Sequence, residues 1–164
     1  MPRTTFTTPL GTCAIAWGKK GLTAFALPEA EARANDVSPD AVHDEITMLI
    51  ARVRRHLADE PQDFSDARYD FSGLGQFSAH VLRATLEVKS GHTASYGEIA
   101  AALGQRPAVS RAVGAALRAN AWPLLIPCHR ITGAGGRMTG FSGPGGVATK
   151  VKLLALEGAQ LFAE

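Results

Sequence analysis

The four residues Pro127-Cys128-His129-Arg130 carry the side chains of this sequence that are best suited to covalent chemistry. They follow directly on the apolar run Leu124-Leu125-Ile126. A cysteine attacks as its thiolate, and neighbouring imidazole or cationic groups favour that form by lowering the thiol pKa. The tetrapeptide alone allows two interpretations: a nucleophilic cysteine with a histidine partner, or an inert cysteine buried in a strand beside two incidental polar residues.

Two short helices are predicted upstream of this motif. Ser95-Tyr96-Gly97-Glu98 is a capping box, in which a serine N-cap and a glutamate three residues later fix the start of a helix over residues 96–103. Gly104 is placed to end this helix, and Pro107 to open a second one over residues 108–119. Two short helices joined by a tight turn form a helix-turn-helix, which occurs both in DNA-binding proteins and as a plain packing unit.

The second helix of this pair is slim, because five of its residues are alanines. Only Arg111 and Arg118 offer long polar side chains that could reach base edges. This composition favours close approach to a nucleic-acid backbone or a narrow groove, with little reading of sequence.

Taken together, the ordered segments of this half resemble the O6-alkylguanine-DNA alkyltransferases (methylated-DNA–protein-cysteine methyltransferases). The resemblance runs over residues 77–158 and is carried by residues 93–100, 110–120, 123–131 and 153–158. A looser match at residues 8–12 and 21–22 suggests the amino-terminal domain of the same family. The resemblance implies direct DNA repair: one irreversible transfer of the alkyl group from O6-alkylguanine, and as a further candidate O4-alkylthymine, to the protein.

The resemblance also assigns the reacting residues. It implies that Cys128 accepts the alkyl group, that His129 and Glu157 form a relay to the thiol through a water molecule, and that Asn120 hydrogen-bonds within the site. Neighbouring residues of an extended segment point to opposite sides, so Cys128 and His129 would need a turn or a bridging group to communicate. Arg130 is left open between a phosphate contact and an internal ion pair.

A base stacked in a duplex is out of reach of a thiolate, so the damaged nucleotide must leave the stack. By resemblance, Tyr96 helps to rotate this nucleotide, and Arg111 fills the space that it leaves. The planar guanidinium of an arginine can stack like a base, which a lysine cannot do. Phe141 and Ser142 resemble the substrate-pocket loop of the family, although many relatives have tyrosine at the position of Phe141.

Three other functions are considered. A non-catalytic sensor of alkylated DNA would keep Tyr96 and Arg111 but replace the cysteine, and Cys128 argues against it. A helix-turn-helix regulator would not need the cysteine motif. A cysteine hydrolase built on Cys128 and His129 would have no use for the helix pair.

The fold class predicted is an α/β amino-terminal domain, with a small sheet plus a helix, followed by a mostly α-helical domain with a helix-turn-helix of winged-helix type. The proposed boundaries are residues 1–70, a linker at 71–76, and residues 77–164. In the first domain we expect two strands within residues 10–27, joined by a turn at 18–21. Proline in the first helical turn then predicts an amphipathic helix over residues 39–58, with Ser38 as its N-cap.

The second domain is expected to open with a helix over residues 74–89. Charge separates the two halves of the sequence. Residues 1–75 hold 8 Lys/Arg against 11 Asp/Glu, whereas residues 76–164 hold 9 against 4. If one half contacts a polyanion, it is therefore the second.

Partners and cofactors follow from the same reasoning. We expect double-stranded DNA as the partner, bound in the minor groove with little sequence specificity, by a monomer that needs no cofactor. Cys13 and Cys128 do not form a disulfide framework or a metal-binding pattern. Gly18 and Thr23 stand where some relatives carry zinc ligands, so no structural zinc is expected. The sequence shows neither a signal peptide nor a membrane-spanning run, so a cytoplasmic protein, or a nuclear one in a eukaryote, is expected.

Overall fold

The computed structural model describes residues 2–28, 43–137 and 146–159 of the chain. These residues form two small sheets and five α-helices, connected by loops and short 3-10 turns. In chain order the elements are β1 (Arg3–Thr8), β2 (Gly11–Gly18), β3 (Gly21–Ala26), α1 (Asp44–His56), α2 (Gln76–Leu86), β4 (Ala94–Ser95), α3 (Tyr96–Ala102), α4 (Ser110–Arg118), β5 (Ile131–Thr132) and α5 (Gly146–Leu156). None of the helices in the described ranges has the length and apolar character needed to span a membrane.

The first sheet is antiparallel, in the order β1-β2-β3. Strands β2 and β3, and the turn between them, confirm the expected hairpin. The tight turn ends at Gly21, where φ is +129° and a Cβ atom would lie 2.5 Å from the Arg68 carbonyl oxygen, so glycine is required. Strand β1 was not predicted from the sequence. Its threonine-rich sequence has Phe6 as its one large apolar residue, and threonine suits a pleated strand without giving an apolar alternation.

Helix α1 packs against this sheet through one apolar face, with Ile46, Leu49 and Val53 buried. Its predicted start at residue 39 is wrong, because the helix begins at Asp44. His43 precedes it in an extended conformation (φ −72°, ψ 156°) and contributes no side-chain cap. Ser38 and Pro39, which were expected to begin the helix, lie outside the described residues.

Helix α2 lies within the predicted range of 74–89, but it is shorter at both ends. It buries Val81, Leu82 and Leu86, as expected from their helical spacing. Together with α3 and α4 it forms the helical layer of the second half of the chain, in which α2 packs on both other helices.

The hairpin and the second half of the chain share one apolar core and several hydrogen bonds. The indole Nε1 of Trp122 donates to the Leu22 carbonyl oxygen at 3.0 Å, and the Phe25 N–H donates to the Ala121 carbonyl oxygen at 2.8 Å. Trp122 also packs edge-on against Tyr69, whose ring centroid lies 5.8 Å away. These contacts hold the segment that leads to Cys128 against the first sheet.

The predicted helix pair is confirmed, including its capping box. The Glu98 N–H donates to Ser95 Oγ at 3.0 Å, and the Ser95 N–H donates to Glu98 Oε1 at 3.1 Å. Gly104 follows α3 with φ +69°, the left-handed conformation that commonly ends a helix. A 3-10 turn, Pro107–Val109, leads into α4, which packs against α3.

A two-residue parallel pairing connects this helix pair to the cysteine motif. Ala94 of β4 pairs with Ile131 of β5, and Ser95 pairs with Thr132. Tyr96, the first residue of α3, is therefore held next to the chain segment that leaves Arg130.

Candidate active site

Cys128 lies in a compact 3-10 turn, Cys128–Arg130, and not in the extended segment that the sequence suggested. The turn forms because the Arg130 N–H donates to the Pro127 carbonyl oxygen at 2.9 Å. Just before it, the buried Leu124 has a positive φ of 79°, which reverses the chain. The expectation that Cys128 and His129 point to opposite sides of a strand therefore does not apply.

Asn120 stabilises the loop that precedes Cys128. Its side-chain Nδ2 donates to the Ile126 carbonyl oxygen at 3.0 Å, and its Oδ1 accepts from the Trp122 N–H at 2.9 Å. By hydrogen bonding, the same side chain also acts to lower the pKa of the Cys128 thiol. One amide thus holds the loop at Trp122 and at Ile126, and its role in the reaction stays a prediction.

Glu157 is the centre of a buried charged cluster. Arg130 makes a bidentate ion pair with it, in which Nε donates to Oε1 at 2.9 Å and Nη2 donates to Oε2 at 2.7 Å. His129 Nε2 lies 2.9 Å from the same Oε2 atom. Nη1 of Arg130 donates to the Val88 carbonyl oxygen at 2.7 Å. Arg130 is therefore an internal brace, the second of the two roles left open for it.

The hydrogen bonds and the burial of this cluster determine which of its side chains carry a proton. Burial alone would raise the pKa of Glu157, but the donors His129, His56 and Arg130 outweigh it and hold that pKa far below its usual range. Burial lowers the pKa of His129, against the opposing effect of Glu157. Because Glu157 is a carboxylate and His129 is neutral, the imidazole proton lies on Nε2 and Nδ1 is a free acceptor. Within the described residues, this buried Nδ1 has no hydrogen-bond partner.

The thiol of Cys128 is mainly protonated at rest. The residue is only 7% exposed, and this burial raises the pKa of the thiol. The hydrogen bond from Asn120 and the charge of Lys150 act in the opposite direction. The site therefore needs a base to release the thiol proton, and His129 Nδ1 is of the right kind.

Two buried polar residues near this site were missed by the sequence reasoning. Lys150 on α5 is fully buried and donates a hydrogen bond to the Ile131 carbonyl oxygen, and burial lowers its pKa. Its spacing to Leu153 and Leu154 places it on the buried face of α5, a signal that the sequence does contain.

The second missed residue is His56, at the end of α1. Its Nε2 lies 2.8 Å from Glu157 Oε2, and the ring is 1% exposed. It continues the apolar face of α1 after Val53, so its burial could have been predicted from the sequence. Its contact with Glu157 could not be predicted, because Glu157 follows 101 residues later in the chain.

The two residues expected to act on DNA lie at the starts of α3 and α4. Arg111, the second residue of α4, is exposed, and Tyr96 is half-buried. A Cβ atom at Gly114 would lie 3.8 Å from the Tyr96 ring, so this ring packs on α4 one turn after Arg111. The structure thus brings Tyr96 and Arg111 to one region. Phe141 and Ser142 lie outside the described residues.

In the described part of the chain, no group of three or more His, Cys, Asp or Glu side chains is arranged to hold a metal ion. The expectation that the protein needs neither a cofactor nor a structural zinc stays a prediction.

Comparisons with known proteins show which family this chain resembles. The family model of the 6-O-methylguanine DNA methyltransferase DNA-binding domain matches residues 76–159. The methylated-DNA–protein-cysteine methyltransferase of Methanothermobacter thermautotrophicus is 35% identical over 154 residues, which cover 93% of this chain and 83% of the relative. A DNA base-flipping protein of Thermus thermophilus is 42% identical over 107 residues, covering 65% of this chain and 69% of that protein.

Among solved structures, the Mycobacterium tuberculosis OGT in complex with DNA superposes with a TM-score of 0.80 at 31% identity, covering 96% of this chain and 93% of the other. That structure confirms the arrangement of a small sheet with helices. The family-model match and the similarity along nearly the whole chain show that this protein belongs to the 6-O-methylguanine-DNA methyltransferase family.

Proposed function

We propose that this protein repairs DNA directly, by transferring the alkyl group of O6-alkylguanine to Sγ of Cys128. The observation that carries this proposal is the buried pair of His129 and Glu157, which leaves an unprotonated imidazole nitrogen in the turn that holds the cysteine. In the reaction, Sγ attacks the alkyl carbon, a carbon–sulfur bond forms, and the bond from carbon to O6 breaks. The guanine leaves with the electron pair of that bond.

The proton balance of this step uses His129. Its Nδ1 accepts the thiol proton, directly or through one water molecule, and Glu157 stabilises the imidazolium that forms. The imidazolium then gives this proton up to the departing guanine anion, so that the cluster returns to its resting charge. The thioether on Cys128 is a poor leaving group, so each protein molecule reacts once.

The exposed helix pair is proposed to bind double-stranded DNA. Helix α4 presents small side chains on its exposed side, with Ala112 and Ala115 exposed beside Arg111 and Arg118. A slim helix of this kind suits the minor groove and depends little on base sequence. Tyr96 and Arg111 would rotate the damaged nucleotide out of the stack and occupy its place.

The finer organisation of the chain belongs to the same proposal. Residues 1–70 would form the α/β domain, residues 71–76 the linker, and residues 77–164 the catalytic domain with a winged-helix type of helix-turn-helix. Phe141 and Ser142 are proposed to line the guanine pocket. O4-alkylthymine is proposed as a second substrate, to be compared with O6-methylguanine in the same assay.

The direct test is the intact mass of the protein after incubation with a duplex that carries one O6-methylguanine. We expect a gain of one methylene group per molecule, saturating at one, and located on Cys128 by peptide mapping. Tight binding of the damaged duplex without a change in mass would support a non-catalytic lesion sensor. If the protein neither bound the damaged duplex nor changed in mass, the proposal would be overturned.

A second test separates base flipping from chemistry. Arg111→Ala should lower the rate of methyl transfer from duplex DNA by roughly tenfold or more, since the extrahelical base loses its replacement in the stack. The same variant should react normally with free O6-benzylguanine base, which needs no flipping. Arg111→Lys is the matched control: it keeps the charge but not the planar group, so it should resemble the alanine variant on duplex DNA. Full activity of Arg111→Lys would indicate that Arg111 only contacts phosphate.

A further inference from the structure

The structure assigns His56 a place in the reaction centre, as a positioning residue that holds Glu157 from the amino-terminal half of the chain. This inference rests on the proposed function, because it concerns the rate of the same alkyl transfer. His56 is the last residue of α1, and its ring is 1% exposed. It reaches the carboxylate that serves His129, although it precedes Glu157 by 101 residues in the chain.

The tautomer of His56 follows from its two hydrogen bonds. Its Nδ1 accepts from the Gln62 N–H at 2.9 Å, so that nitrogen carries no proton. The ring proton is therefore on Nε2, which donates to Glu157 Oε2 at 2.8 Å. The ring is also packed against Phe64, with 5.4 Å between the ring centroids, which restricts its rotation. His56 is thus a neutral donor held in one orientation.

His56 and His129 both donate to Oε2 of Glu157, so the two rings are coupled through one atom. Arg130 fixes the plane of the carboxylate through both oxygens, and its Nη1 is held in turn by the Val88 carbonyl oxygen. His56 adds a donor from a separate helix, α1, which opposes movement of Glu157 away from His129. It also draws electron density from Oε2, which favours retention of the proton on Nε2 of His129. Both effects keep Nδ1 of His129 available as the acceptor for the thiol proton.

Two isosteric variants separate the two hydrogen bonds of His56. The amide nitrogen of His56→Gln can occupy the place of Nε2 and keep the donor to Glu157, while it gives up the acceptor for the Gln62 N–H. His56→Asn does the reverse, since its amide oxygen lies at the position of Nδ1. The measurements are the single-turnover rate of methyl transfer at saturating duplex with one O6-methylguanine, the Kd for that duplex, and the thermal unfolding midpoint.

We expect His56→Asn to lower the single-turnover rate by roughly tenfold, because a hydrogen bond to a charged group is lost, with the Kd unchanged. His56→Gln should stay within about threefold of the wild type, a rescue that loss of stability alone would not produce. Equal rates in both variants, or rates that follow the unfolding midpoints, would overturn this role of His56. A wild-type protein that accepts no methyl group would instead overturn the proposed function.

A measurement on the wild-type protein covers the case in which His56→Asn fails to fold. Nitrogen-15 NMR of the histidine rings should show His56 in the neutral tautomer with the proton on Nε2, and this proton should exchange slowly with solvent. A His56 ring protonated on Nδ1, or one that exchanges freely, would overturn the assignment.

Discussion

The chain contains two buried cysteines in very different surroundings, and the contrast shows what burial does and does not provide. Cys13 lies in β2, is 1% exposed, and has a pKa raised by burial to about 11. Cys128 is 7% exposed, and burial raises its pKa as well. Cys13 has one weak polar neighbour, Thr8, whose Oγ1 lies 3.9 Å from its Sγ atom. Cys128 has Asn120, the charge of Lys150 and its own turn.

The difference indicates that reactivity at Cys128 comes from its neighbours and not from exposure. A strand places apolar side chains and paired backbone groups around a sulfur atom, so Cys13 has no base to release its proton. The turn at Cys128 places the sulfur beside the loop tied by Asn120 and next in sequence to the imidazole of His129. Substitutions at five residues test this contrast, from the largest expected effect to the smallest.

Exchanging each cysteine for alanine gives the largest difference. Cys128→Ala should abolish alkyl transfer, because the accepting atom is lost. Cys13→Ala should still accept one alkyl group per molecule, and should lose about 1 kcal/mol of unfolding free energy through lost packing. The stoichiometry by intact mass and a denaturant titration measure both effects. Transfer that requires Cys13 would reverse the assignment of the two residues.

Removing the charge of Glu157 should slow the transfer, but Cys128 remains present to accept the alkyl group. We expect Glu157→Gln to lower the single-turnover rate by about 100-fold, because His129 loses the group that orients it and stabilises its cation. It should also cost about 3 kcal/mol of unfolding free energy at neutral pH, since Arg130 is left buried without its counter-charge. A rate within threefold of the wild type would contradict the relay.

The pH dependence of the same variant gives a second readout. Since the pKa of Glu157 is lowered in the folded protein, its contribution to stability is present above the ordinary glutamate pKa and is lost as the pH falls below it. The unfolding free energies of the wild type and Glu157→Gln should therefore approach each other below about pH 4. A difference that stays constant into acid would show that Glu157 is not ionised in the fold.

Asn120→Ala should have a smaller effect on the transfer rate, which acts through the thiol of Cys128 and the loop before it. The variant loses the hydrogen bond to the thiol and both hydrogen bonds within the loop. We expect the pKa of Cys128 to rise further, the transfer rate to fall by about tenfold, and the unfolding free energy to fall by about 1–2 kcal/mol. The pH dependence of the transfer rate and a denaturant titration measure these changes. Asn120→Asp is the control that keeps an acceptor for the Trp122 N–H but loses the donor.

Thr8→Val is the matched substitution at the other cysteine, and its effect should be the smallest. It removes the polar neighbour of Cys13, together with the hydrogen bonds of Thr8 Oγ1 to the turn at Leu10 and Gly11. We expect alkyl transfer to be unchanged and the unfolding free energy to fall by about 1 kcal/mol. A change in the transfer rate would mean that the first sheet influences the reaction at Cys128, which would contradict the contrast drawn between the two cysteines.

Local features of the fold were predictable from the sequence because their causes lie within a few residues. The capping box of Ser95 and Glu98, the helix-ending Gly104 and the hairpin of β2 and β3 belong to this group. Strand β1 was missed because threonine favours strands without an apolar alternation. Helix α1 begins at Asp44 and not at residue 39, since His43 before it is extended, and nothing in the apolar spacing of the helix signals this break.

The reaction centre was predictable in part. The roles expected of Cys128, His129 and Glu157 came from a resemblance, and the structure brings His129 and Glu157 into contact. The turn at Cys128 could not be derived from its own residues, because it depends on the positive φ of Leu124 and on the side chain of Asn120. The contact of His56 with Glu157 has no local signal at all.

The distance along the chain between His56 and Glu157 has a consequence for the order of events during synthesis. The two residues are 101 positions apart, and Glu157 directly follows α5, the last helix of the described chain. When α1 and the cysteine turn have left the ribosome, the guanidinium of Arg130 still has no counter-charge to accompany it into the core. We therefore expect the growing chain to keep this region open until α5 and Glu157 have been synthesised, so that Cys128 gains its reactive surroundings only after that point.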